Sequence, residues 1–279
     1  MNAPTSRRAP APAPPFPGTR PRQVDAPTAS AAKRLARWGA LAWSSLAEVL
    51  WPRRCAACEA PSPGHLLCPG CEASLVPSAG ACCPRCGLVW LDPVPGAPDL
   101  LCAACRKEPP PYVRARGAFA YGGALQEVIA RWKNAPAGVL GADLAALMMT
   151  QADALGWEAL PAETVVVPVP SPLTHVRARG FNPAGVLARA FARRLGLRLA
   201  ARGLRLRRPI PSAHGMGREA RRRRARGAFE ARARAVRGRV VVVVDDVMTT
   251  GATVEAAARA CLRAGAKEVE VAALARVPW

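Results

Sequence analysis

The sequence is short of acidic residues: Asp+Glu number 19 against Lys+Arg 40 in 279 residues, a formal net charge of +21. Lysine is scarce too, standing only at Lys33, Lys107, Lys133 and Lys267, and none of these precedes Ser or Thr. That excludes the Gly-x-x-x-x-Gly-Lys-Ser/Thr loop of nucleotide hydrolases. Codon bias in a GC-rich genome explains Arg over Lys, but it does not explain the missing acids. A strongly basic chain usually meets phosphates or nucleic acid. No run of 18 or more uncharged apolar residues exists, so no membrane-spanning helix is expected. Although aromatics make up only 5% of the chain, the hydrophobic fraction is 51%. Together with a near-zero mean hydropathy, this excludes both a wholly disordered chain and a polytopic membrane protein. The length suits one or two compact domains.

The charge is not spread evenly. Residues 201–239 hold fourteen arginines against two glutamates, a net +12, whereas 55–110 sum to −2 and 240–279 to −1. The excess is a local feature.

Residues 1–32 are Pro- and Ala-rich, with eight prolines in the first thirty positions, and read as a disordered tail. From 33 to 52, Leu35, Trp38, Ala42, Leu46 and Val49 recur at helical spacing, which predicts an amphipathic helix. Glu48 and the long proline-rich leader argue against a secretory signal there. A cytoplasmic location is expected, with attachment to the inner membrane confined to its surface.

Nine of the ten cysteines lie between 55 and 105. Eight form Cys-x-x-Cys pairs: Cys55/Cys58, Cys68/Cys71, Cys83/Cys86 and Cys102/Cys105. Two thiolates two residues apart grip one metal from a tight turn, and two such turns complete a tetrahedral site. Four pairs in about fifty residues predict two structural zinc ions within a module over 53–108. A disulfide framework would need an oxidising compartment. Pairing in sequence order is the default reading, and a cross-braced arrangement is the rival. Cys82 reads as a bystander and Cys261 as a small core residue, and with four cysteines available per site His65 is not expected to replace a ligand.

Beyond Pro109-Pro110-Pro111 the pattern becomes α/β. Helices are expected over 125–133, 140–155 and 182–195, the last with Asn182 as N-cap and Pro183 at the first helical position. Strands are expected over 164–167, within 197–206, over 239–244 and over 269–274. Strands alternating with helices imply a parallel sheet, with ligands at the carboxyl ends of its strands.

The most informative stretch is Val240-Val241-Val242-Val243-Val244-Asp245-Asp246-Val247-Met248-Thr249-Thr250-Gly251-Ala252-Thr253. An unbroken β-branched run belongs to an interior strand. Two carboxylates at its end project toward the ligand crevice. The small and hydroxylated residues after them lead into a helix, where backbone N–H groups cup a phosphate. Carboxylates repel that phosphate, so they suit the neutral diol of a ribose. A ribose 5-phosphate site follows.

This stretch resembles the phosphoribosyl pyrophosphate (PRPP) motif of type I phosphoribosyltransferases. Val167-Pro168-Val169-Pro170, Arg177-Ala178-Arg179-Gly180-Phe181-Asn182, Arg226-Gly227-Ala228-Phe229, Trp132-Lys133 and the cysteine pairs together resemble the competence protein F (ComF) family. The resemblance implies a parallel-sheet α/β phosphoribosyltransferase domain over 112–279 behind a small double zinc ribbon. By the same resemblance, Asp245 and Asp246 would bind the ribose hydroxyls, and Thr249, Thr250, Gly251, Ala252 and Thr253 the 5-phosphate. Ser171, Arg177 and Arg179, in the loop after the 165–170 strand, would meet pyrophosphate with Lys133, and Mg²⁺ would accompany PRPP. The family also implies natural transformation, with single-stranded DNA and uptake machinery such as a competence helicase as partners. Two readings stay open: pentosyl transfer from PRPP to an acceptor the sequence does not name, and a non-catalytic module in which PRPP gates DNA binding. Arg221, Arg222, Arg223 and Arg224 are the nucleic-acid candidates, with Trp90 as a stacking surface, and 209–217 the loop that closes over substrate. The chain departs from the family pattern at Pro183, Pro211, His214 and Arg224, all outside the PRPP motif.

Overall fold

A computed structural model of the chain describes residues 53–80, 82–91, 99–134, 139–209 and 218–278. The expected tail, the helix over 33–52 and nearly all of the 209–217 loop lie outside them.

Five strands form one fully parallel sheet: β1 (Ala115–Ala120), β2 (Val165–Pro168), β3 (Arg198–Leu199), β6 (Val240–Met248) and β7 (Glu268–Arg276), in the order β1-β7-β6-β2-β3. β4 (Leu204–Leu206) and β5 (Phe229–Ala231) pair antiparallel outside it. The stretch 197–206 thus holds two short strands that serve different sheets.

The valine run explains the layering. Val242 and Val244 enter one hydrophobic cluster, with side chains of α3 (Gly123–Asn134), α4 (Gly141–Met149) and α6 (Pro183–Arg194). Val241 and Val243 enter the other, against α9 (Ala252–Arg263) and residues 225–236. Period-two alternation with both faces covered is the signature of an interior parallel strand. β6 runs four residues past its expected end because β7 continues alongside, with Asp245 opposite Ala273 and Met248 opposite Arg276. α4 stops short of the expected 155, where the Thr150 hydroxyl donates back to the Leu147 carbonyl at 2.8 Å.

The cysteine-rich segment holds two short helices, α1 (Pro69–Ala73) and α2 (Ala103–Lys107). It packs directly on edge strand β1. Ala120 donates its N–H to Val76 O and Ser78 to Ala118 O, while Ala115 donates to Arg85 O. Cys55, Ala56, Ala57 and Leu67 share a cluster with α3. Covering β1 removes an exposed sheet edge. The tightest approach is at Gly87, just after Cys86, where φ is +65° and a Cβ would lie 2.5 Å from the Ala115 carbonyl oxygen. Gly87→Ala is expected to destabilise the protein by at least about 1–2 kcal/mol, the cost of the left-handed conformation alone. Chemical denaturation with both zinc sites filled measures it.

Candidate functional site

The structure gathers the eight paired cysteines into two groups, Cys55/Cys58/Cys68/Cys71 and Cys83/Cys86/Cys102/Cys105. Within each, all ligand atoms lie within 4.8 Å of one another. Pairing is therefore in sequence order, and the cross-braced alternative is excluded. The Cys58–Cys68 and Cys86–Cys102 Sγ separations are both 3.6 Å. Disulfide sulfurs sit about 2.05 Å apart, whereas four Zn–S bonds of about 2.3 Å in a tetrahedron place sulfurs roughly 3.8 Å apart. The donor set and spacing fit zinc. Burial raises the Cys55 thiol, but the amides of Cys58, Cys68 and Ala57 bring it down to about 6, which favours the thiolate a metal needs. Cys82 and Cys261 are buried outside both groups, and His65 is exposed. Trp90 packs partly buried against the second group.

The second site lies where β6 meets α9. Asp245 and Asp246 fall within the last four residues of β6, and Asp246 pairs with Lys133 Nζ from the end of α3. Asp246 also donates its backbone N–H to Asp245 Oδ1 at 3.0 Å. Burial pushes the Asp245 carboxyl well above the usual carboxylate range, and the charge on Asp246 adds to the effect. Burial acts on Asp246 in the same sense, but the Lys133 ammonium outweighs it and holds this carboxyl below its ordinary value. The two carboxyls are thus pushed in opposite directions, and Lys133 favours the charge on Asp246.

Directly after β6, Thr249 is exposed, Thr250 buried and Thr253 half-buried. Gly251 caps α9 at φ +82°, a conformation that disfavours a side chain, and Ala252 opens the helix. Thr250 Oγ1 accepts from the Ala252 N–H at 3.4 Å. The loop thus presents a twelve-residue helix N-terminus beside the two carboxylates.

The end of β2 adjoins that of β6, since Val169 donates to Val244 O at 2.9 Å. Asn182 occupies the cap position of α6, but its side chain makes no capping bond. Its Nδ2 donates to Val169 O at 3.0 Å, and its Oδ1 accepts from Ser171 Oγ at 2.9 Å. Asn182 fastens the segment after β2. Arg177 and Arg179 are not on a loop, as the sequence suggested, but on a short helix, α5 (Leu173–Arg179). Arg177 is exposed there and Arg179 half-buried. Gly180, left-handed at φ +82°, ends that helix. The structure therefore brings Lys133, Asp245, Asp246 and the 249–253 loop together, while the two α5 arginines make no contact with the dyad.

The arginine run forms helix α7 (Arg218–Ala225). Arg222 departs from the expected role. Its guanidinium pairs with Glu255 and Glu108, each at 2.7 Å, and its side chain is only 12% exposed. Burial lowers its pKa, but Glu255 outweighs burial and raises it above the ordinary value. A helix turns each successive residue by about 100°, so one arginine of the four had to face inward. Arg222 is an internal strut rather than a nucleic-acid contact. Arg223 pairs with Glu219 one turn away, both largely exposed, which stabilises little. Arg221 is half-buried, and the Arg224 side chain is exposed with its carbonyl accepting from Arg208 at 2.9 Å.

Three residues near the site escaped the sequence reading. Glu255, fully buried in the first turn of α9, and Arg276, 1% exposed at the end of β7, are charges inside apolar patterns. That misfit was the available signal. Tyr112, 1% exposed, stands 3.7 Å from the position a Gly251 Cβ would take, and nothing in its surroundings in sequence marked it.

Comparison with known proteins agrees with both modules. A phosphoribosyl transferase domain matches residues 176–278, and a double zinc ribbon domain matches 46–106. The DNA utilization protein YhgH of Salmonella typhi is 32% identical over 195 residues, covering 70% of this chain and 83% of its own. Its Escherichia coli (strain K12) counterpart is 30% identical over the same shares. A solved structure of the allosteric regulatory enzyme of purine biosynthesis aligns over 62% of this chain and 30% of that one, at 24% identity and a TM-score of 0.31. Among the described residues no helix is long and apolar enough to cross a membrane. With a phosphoribosyltransferase-type parallel sheet, two four-cysteine centres ahead of it, and relatives matched along most of their length, the chain belongs to the ComF family.

Proposed function

We propose that the chain binds PRPP together with Mg²⁺ at the carboxyl end of β6, in the service of DNA utilization. The observation that carries this reading is the Lys133–Asp246–Asp245 arrangement set against the 249–253 helix N-terminus. The residue types divide the ligand sensibly. Backbone N–H groups of 249–253 and the Thr hydroxyls suit a 5-phosphate. The Asp245–Asp246 pair suits the ribose hydroxyls. Lys133 reaches the same point as a cation for the pyrophosphate side, and Ser171, Arg177 and Arg179 follow the neighbouring β2. Mg²⁺, arriving with PRPP and keeping part of its water shell, supplies charge neutralisation on the pyrophosphate oxygens.

If the bound PRPP is turned over, the bond between C1 and pyrophosphate breaks through an oxocarbenium-like state. The chain's own contribution is then to hold the ribose and to stabilise the leaving group electrostatically. A cavity of about 920 Å³ between α4 and α6, lined by Ala142, Ala145, Met149 and Ala190 among others, contains none of the motif residues. The DNA role draws on what the YhgH relatives are called, and on α7 it leaves Arg221, Arg223 and Arg224 as candidate phosphate contacts once Arg222 is set aside.

Calorimetric titration of the zinc-loaded chain with PRPP and Mg²⁺ should give saturable heat. Ribose 5-phosphate should compete, and a nucleoside lacking the phosphate should not. Absence of heat with PRPP overturns the proposal.

A further inference from the structure

Arg276 closes β7 with its side chain inside the protein, 1% exposed. Among the described residues its four side-chain acceptors are all backbone carbonyls. Nε donates to Cys86 O at 3.4 Å, and Nη1 donates to Met248 O at 3.1 Å, Val277 O at 3.3 Å and Thr249 O. Two of these carbonyls lead into the 249–253 loop, and one belongs to a ligand of the second four-cysteine group. The guanidinium spans the two. Gly117 on β1 leaves the room it occupies, since a Cβ there would lie 2.8 Å from Arg276 Cβ.

A buried cation without a carboxylate is costly unless charge of the other sign lies close. Zn²⁺ held by four thiolates has a net charge of −2, and Cys83, Cys86, Cys102 and Cys105 form such a centre. Two further arginines of this region donate to backbone carbonyls. Arg116 donates to Pro84 O at 2.8 Å, and Arg85 to Pro110 O at 3.2 Å. Near the first cysteine group a carboxylate is present: Glu59 pairs with Arg131 at 3.0 Å, and its carbonyl accepts from Arg54 at 3.1 Å.

We propose that Arg276 is a positioning residue through which the second zinc centre holds the 249–253 loop in its ligand-ready conformation. The zinc tetrathiolate compensates the buried guanidinium, and the guanidinium in turn fixes the carbonyls of Met248 and Thr249. With those carbonyls drawn inward, the loop can turn N–H groups toward the anion. The inference rests on the phosphate role given to this loop under the proposed function. It adds that the metal module sets the loop's order through Arg276, whose partner Cys86 is 190 residues away in sequence.

The test uses the full zinc-loaded chain with Arg276→Lys and Arg276→Met. Lysine keeps the charge but cannot reach the Cys86 and Thr249 carbonyls together, and methionine removes the charge while filling the space. Three quantities are read: zinc content, amide hydrogen exchange along β6 and its following loop, and PRPP affinity. Both variants should keep two zinc ions. Both should exchange amides 249–253 at least about tenfold faster, with 240–244 protected as before, and bind PRPP at least about tenfold more weakly, an effect of about 1.4 kcal/mol. Exchange at 249–253 within twofold of the natural chain would overturn the proposal. So would acceleration spread equally over β6 and β7, which marks a merely structural role, or full recovery with lysine, which marks charge alone. If the natural chain binds no PRPP, the proposed function falls, and the exchange comparison still decides this inference.

Discussion

Asparagine at both Asp245 and Asp246 is expected to weaken PRPP binding by at least about 100-fold while leaving the protein folded. Each carboxylate is assigned a hydrogen bond to a ribose hydroxyl, and hydrogen bonds to charged groups contribute about 1.5–3 kcal/mol each. Losing two gives roughly two or more orders of magnitude. The fold should tolerate the change for separate reasons at the two positions. At Asp245, asparagine is isosteric with the carboxyl and removes a charge whose burial is costly. Asp246→Asn removes the partner of Lys133, but that lysine is 29% exposed and can turn to water. Zinc content and thermal midpoint serve as controls. A double variant that binds PRPP within tenfold of the natural chain removes the ribose role from these residues.

Arg222→Met is expected to be among the most damaging single changes in the arginine-rich segment. It leaves Glu255, which is fully buried, without its 2.7 Å partner. Breaking one side of a buried ion pair costs about 3–5 kcal/mol. The lower end of that range applies here, because Arg259 stands 3.8 Å from the other Glu255 oxygen. Adding Glu255→Gln should recover most of the loss, since no buried charge then remains uncompensated. Arg223→Met is expected to change stability by less than about 0.5 kcal/mol, its pair with Glu219 being exposed. Urea denaturation of the four proteins measures the cycle. Equal effects at 222 and 223 would show that α7 is a uniform basic surface after all.

The two outcomes bear on what charge does in this protein. The +12 of residues 201–239 suggested phosphate contacts all along α7. One of those arginines is instead built into the interior, linking the cysteine-rich segment through Glu108 to the first turn of α9 through Glu255. Arg276 makes a second link between the same two regions. Arg276 holds the loop assigned to the 5-phosphate, and Arg222 holds the helical turn that follows it.

Features whose physical cause is local were legible in the chain itself. Cys-x-x-Cys pairs in turns prescribe metal ligands, an unbroken valine run prescribes an interior strand, and Thr-Thr-Gly-Ala-Thr before an alanine-rich helix prescribes an anion-binding N-terminus. From these the parallel α/β fold, the two four-cysteine groups and the position of the candidate site could all be read. Tertiary structure alone decided which cysteine pairs share a site, how far β6 runs beside β7, and that Asn182 fastens the segment after β2 rather than capping its own helix. It also decided that Arg222 and Arg276 turn inward. Their partners lie 114 and 190 residues away in the chain. No local spacing encodes such contacts, because a buried charge is placed by whichever distant acceptor the packed fold brings within reach.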